Sequence, residues 1–109
     1  MTHRDYHIGS FTDVDDRWGS QLWELLNEPE TIRTMTRASD EGQTAAEAIA
    51  QLLVDRLGMQ RNQNRVKQFT GHLIKQVMER RGYRHVGDRR CALNPLFTSA
   101  ARYTHTVEA

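Results

Sequence analysis

A single cysteine, Cys91, stands among 109 residues, which excludes an internal disulfide framework and fits a reducing compartment. No apolar run approaches the roughly 20 residues that a membrane-spanning helix requires. The longest near-run, Ala48 to Val54, is broken by Gln51. Glycine-rich phosphate loops, nucleophile elbows and paired-cysteine zinc spacings are missing as well. The opening Met-Thr-His-Arg-Asp-Tyr-His is polar with an early aspartate, unlike a secretory leader. These absences leave a soluble, non-enzymatic domain spanning 1–109, expected in the cytoplasm. No membrane partner, cofactor, metal or small-molecule substrate is indicated. A hydrophobic fraction of 38% suffices for one modest core without metal or disulfide staples.

Charge of either sign is plentiful, and its placement is uneven. Residues 1–55 hold four arginines against eleven carboxylates, a net −7. Residues 56–102 hold eleven basic residues against Glu79 and Asp88, a net +9, and Glu108 completes the overall +1. Such asymmetry points to a polyanionic or acidic partner for the basic half. The competing reading is that the halves neutralise each other within the fold or across a dimer.

Periodicity places the elements. Val14, Trp18, Leu22, Leu25 and Leu26 form a helical stripe behind the acidic turn Asp13, Asp15 and Asp16; Ser10 or Thr12 can cap it, and Asn27 and Pro29 end it. Before it, Tyr6, Ile8 and Phe11 are spaced like a short strand or arm. Residues 30–38 offer one short helical turn. Thr44-Ala-Ala-Glu47 is a capping-box pattern opening a helix over 45–57, closed by a left-handed Gly58. A second helix spans 65–81, with Val66, Phe69, Leu73, Ile74, Val77 and Met78 inward and Gly82 at its end. Beyond Gly82 the period changes to that of strands: 83–86, a turn at Gly87-Asp88, then a return over 91–93 or 100–105, with Pro95 interrupting. The fold class is therefore mainly α with a small C-terminal antiparallel β-hairpin. An acidic arm and helix (1–43) precede a basic helix-helix-hairpin part (44–109). Leu53, Leu57, Phe69, Leu73 and Val77 are expected in the core.

Few motifs carry chemistry. The acidic run at 13–16 lacks the glycine and distal glutamate of a calcium loop and suits a first helical turn better. His85 and Cys91 have no third ligand in sequence, and nothing near His72 would orient it as a base. Trp18 and Trp23, five apart, cannot share one stripe, so one is core and the other a candidate contact. The helix over 65–81 presents Lys67, Gly71 and Lys75 at i, i+4 and i+8, with Gln68, His72 and Gln76 beside them. Lysine and glutamine reach phosphates and base edges, and a central glycine permits close approach. Arg84, Arg89 and Arg90 follow around the hairpin.

The order of a helix ending at Gly58, a longer basic helix and a basic hairpin resembles a winged helix-turn-helix domain over residues 44–105. The resemblance implies a helix entering the major groove, with Lys67, Gln68, His72 and Lys75 facing it, and a wing carrying Arg84, Arg89 and Arg90 on the adjacent backbone or minor groove. The tail from Gly82-Tyr83-Arg84 through Asn94-Pro95-Leu96-Phe97-Thr98 is similar to small proteins of bacterial mobile elements. Two function classes stay open: a module that binds nucleic acid, duplex DNA first, and a protein-interaction or homodimerisation module. The second would use Trp23, Ile32 and Met35 as an exposed apolar patch and pair charges across an interface.

Overall fold

The computed structural model of the chain describes residues 16–59, 64–90, 96–97 and 99–106, with the backbone alone at 16, 64–66, 89 and 90. Leu22, Leu25 and Leu26 recur on one face of α1 (Asp16–Leu26) and are each at most 2% exposed, as their spacing predicts. Asn27 closes this helix by donating its side-chain amide to the Trp23 carbonyl at 2.8 Å. Pro29 then begins a helix as well as ending one. It occupies the first turn of α2 (Pro29–Asp40), where its missing N–H costs nothing. The expected short turn is thus a 12-residue helix. Its threonine-rich stretch would otherwise favour turns. However, the hydroxyls of Thr34, Thr36 and Ser39 each donate at 2.9 Å to the carbonyl four residues back, which keeps them within the helix.

The single helix expected over 45–57 is broken. Thr44 is extended (φ −86°, ψ 137°) and starts α3 (Ala45–Ala48) with no side-chain cap bond to the backbone. Its hydroxyl donates to the Glu47 carboxylate at 3.5 Å instead, a side-chain pair in place of the threonine's bond to the backbone in a capping box. Ile49 leaves the helical region (φ −108°, ψ 7°), and α4 (Ala50–Leu57) resumes beyond it. The break lets α3 pack against the C-terminal hairpin while α4 packs on α1, which one straight rod could not do. Gly58 ends α4 in the left-handed conformation the sequence calls for (φ 64°). Leu53 is fully buried, but Leu57, one turn on, is only half-buried and not a core residue.

Phe69, Leu73, Ile74, Val77 and Met78 bury one face of α5 (Asn64–Arg80). After Gly82 the chain turns into β1 (Tyr83–Arg90), which pairs antiparallel with β2 (Ser99–His105), from Tyr83 opposite His105 to Arg90 opposite Ser99. The Gly87-Asp88 pair is therefore no hairpin turn. The strand runs through it with a bulge between His85 and Gly87, where Gly87 takes φ 126°, a value L side chains rarely adopt. The return strand is the later of the two options. The earlier one, at 91–93, lies outside the described residues, as do the arm with Tyr6, Ile8 and Phe11, the caps Ser10 and Thr12, and Asp13 and Asp15.

Polar contacts among the described residues tie the hairpin to α2 and α3. Thr44 forms an isolated antiparallel bridge with Arg102 of β2, tying the start of α3 to the sheet. Tyr83 donates its hydroxyl to Asp40 at the end of α2 (2.9 Å), and His105 Nε2 lies 2.8 Å from that hydroxyl and 3.0 Å from the same carboxylate oxygen. Burial, then the hydrogen bond to Asp40 and its charge, push the Tyr83 phenol up to about 12, so it stays a donor at neutral pH. One hydrophobic core takes side chains from all five helices and the hairpin, Leu22, Met35, Ala45, Leu53, Phe69 and Tyr103 among them.

Candidate nucleic-acid interface

With one face of α5 committed to the core, Lys67, Gln68, Gly71, His72 and Lys75 are left on an adjoining face turned toward the hairpin. Opposite them stand His85, Asp88, Ser99 and Ala101. Ala46, Ile74, Phe97, Ala100 and Tyr103 complete the lining of a groove of about 630 Å³. The bulge builds this wall. Side chains three apart on a regular strand point to opposite faces, whereas the extra residue between His85 and Gly87 returns Asp88 to the face of His85.

His85 Nε2 lies 3.4 Å from Asp88 Oδ1, and the His85 ring meets Tyr103 edge-on with centroids 6.1 Å apart. Tyr103 is buried beneath them. That burial, followed by the negative charges of Glu79 and Asp88, drives its phenol well above the usual tyrosine range and keeps it neutral. The lining is thus mixed: a neutral, partly apolar base, a wall with two lysines, and a facing wall with one carboxylate.

Four of the residues nominated from sequence, Lys67, Gln68, His72 and Lys75, come together in this groove. Arg84 does not. It is exposed on β1 next to His85, and strand alternation sends its side chain to the other face. Arg89 and Arg90 pair with Ala100 and Ser99 in the ladder, and their side chains lie outside the described residues. Sequence reasoning missed Asp88, Ser99 and Tyr103. The one available signal was Gly87, since an isolated glycine in a strand pattern marks a bulge as readily as a turn.

Among the described residues the ion pairs that join the two halves are few. Between described residues, Arg56 of α4 reaches Glu28, just ahead of α2, with nitrogen–oxygen distances of 2.9 and 3.4 Å. Arg33 pairs with Glu30 inside the acidic half, and among the described residues no ion pair engages Lys67, Lys75 or Arg84. The apolar patch expected from Trp23, Ile32 and Met35 is not formed. Met35 is fully buried, Ile32 packs against the core, and Trp23 does so while carrying the Arg80 guanidinium 4.9 Å above its ring. Trp18 packs on Phe69. Among the described residues no three metal-binding side chains cluster, and no helix is long and apolar enough to cross a membrane. Comparison with protein-family models, curated proteins and solved structures found no match in any of the three.

Proposed function

We propose that this chain binds duplex DNA in the groove between α5 and the hairpin, in the manner of a winged helix-turn-helix module. The observation that carries the reading is the grouping of Lys67, Gln68, His72 and Lys75 along one wall of the groove, with no ion-pair partner for the two lysines among the described residues. Cations left uncompensated in a concave surface attract a polyanion, and amide and imidazole groups beside them can reach base edges. α5 packs directly on β1 and β2, and the Thr44 bridge and the Tyr83–Asp40 bond tie the same hairpin to α3 and α2, so a reader using both α5 and the hairpin has them held together. Duplex is favoured over single strand because sequence-tolerant single-strand binding stacks bases on exposed aromatic platforms, whereas the aromatic rings among the described residues of this groove, Phe97 and Tyr103, are buried.

The test is a salt titration of binding to a labelled duplex. Lys67→Ala with Lys75→Ala removes two phosphate partners, so the slope of log affinity against log salt flattens by about 1.8, and a fourfold rise in salt that costs the wild type an extra ~12-fold no longer does so. Absence of binding to any duplex at low salt and micromolar protein rejects this function and leaves an interaction module with a protein partner.

A further inference from the structure

Every hydrogen-bonding group on the α5 wall of the groove can donate or is a cation. Asp88, on the facing wall, is different. It is the one carboxylate among the described lining residues, exposed to solvent, and an ionised carboxylate accepts hydrogen bonds without donating any. A DNA backbone offers acceptors only, so phosphate and deoxyribose give Asp88 nothing to bind and repel its charge. The donors that a duplex presents in its major groove are the exocyclic amino groups, N4 of cytosine and N6 of adenine. The bulge at His85–Gly87 spends a glycine with φ 126° to hold this carboxylate on the groove face, where a regular strand would turn it away.

We propose that Asp88 sets the base preference of the groove by accepting a hydrogen bond from an exocyclic amino group of cytosine or adenine in the major groove, with Gln68 on the facing helix as the second base-edge contact. The inference rests on the DNA-binding reading above. It divides the labour: Lys67 and Lys75 supply affinity for any sequence, and the Asp88–Gln68 pair supplies discrimination. Lysines alone would make the groove a sequence-blind clamp.

The experiment has three parts. Wild-type protein first selects from a randomised duplex pool. The selected duplex, a scrambled duplex and an RNA duplex of the selected sequence are then titrated with wild type, Asp88→Ala and Asp88→Asn. Circular dichroism of the two variants confirms that these exposed substitutions leave the fold intact. A good base-edge contact discriminates by about 5- to 150-fold. The expected result is a wild-type preference in that range that shrinks to within about threefold in both variants, while affinity for the scrambled duplex stays level or rises. Equal tightening on both DNA duplexes with the preference ratio retained overturns the proposal and makes Asp88 a plain repulsive charge. A wild type with no preference overturns it too. Tighter binding to the RNA duplex that is lost in Asp88→Ala also overturns it, by assigning the carboxylate to a 2′-hydroxyl. Failure of wild type to bind any duplex rejects the DNA-binding reading itself, an outcome distinct from these three.

Discussion

Gly71→Ala separates what the fold needs from what the groove needs. Gly71 lies in the interior of α5 with ordinary helical geometry, and a methyl group built on it meets nothing within 4 Å. Packing therefore does not require glycine there. A glycine in a helix interior costs about 0.5–1 kcal/mol relative to alanine, largely through the freedom the unfolded chain loses. Gly71→Ala removes that cost and raises the thermal midpoint by roughly 3–6 °C for a domain of this size. The same residue lies midway between Lys67 and Lys75 in the groove. If DNA closes onto that face, the methyl group intrudes on a contact made at van der Waals distance. Overpacking of that kind costs on the order of 1–3 kcal/mol, or about 5- to 150-fold in Kd. Differential scanning calorimetry and duplex titration on one preparation read both numbers. A midpoint that falls or does not move refutes the helix-propensity argument. A raised midpoint with unchanged affinity shows that no ligand approaches α5 at Gly71.

Other outcomes follow from individual contacts. Tyr83→Phe removes the bond to Asp40 and costs about 1 kcal/mol in urea unfolding, modest because Asp40 is itself exposed. Because the folded-state phenol titrates above its unfolded value, stability is intact below pH 10 and declines as pH rises from 10 toward about 12; in Tyr83→Phe that decline is shallower. Thr31 is 1% exposed and its hydroxyl finds no hydrogen-bond partner, so Thr31→Val is neutral or stabilising by up to about 1 kcal/mol, and a large loss in the same assay refutes that accounting. Phe69→Ala empties the centre of the core and costs about 3–5 kcal/mol, a large share of the stability of a small domain and visible as a lowered urea midpoint.

Where one local signal decided an element, the sequence was legible. The leucine stripe of α1, the buried stripe of α5 and the left-handed Gly58 follow from spacing or from the stereochemistry of one residue, and they stand where expected. Misreadings fell where tertiary demands outweighed local preference. Residues 45–57 look like one helix because Ala45, Ala48, Ile49, Leu52 and Leu53 share its period. Yet α3 must meet β2 and α4 must meet α1, so the chain bends at Ile49. Residues 30–38 offered only one short helical turn, yet α2 runs to 12 residues, with the hydroxyls of Thr34 and Thr36 donating to carbonyls one turn back. Leu57 has the right period for the core, but it sits in the last turn of α4, where the helix is leaving it.

The groove shows the same limit more sharply. Its helical wall was readable because i, i+4 and i+8 positions share a face whatever the tertiary fold, so Lys67, Gly71 and Lys75 had to align. Its hairpin wall was not, because a bulge inverts the face of every residue beyond it, and a glycine followed by aspartate also spells a two-residue hairpin turn. A turn at Gly87-Asp88 would have placed Arg89 and Arg90 at the start of a returning strand and Asp88 at a solvent-facing tip. The bulge carries β1 on to Arg90 and moves Asp88 into the groove, across from the lysines. One backbone choice thereby sets an acceptor-only carboxylate opposite a wall that holds two lysines and the mixed donor-acceptor amide of Gln68.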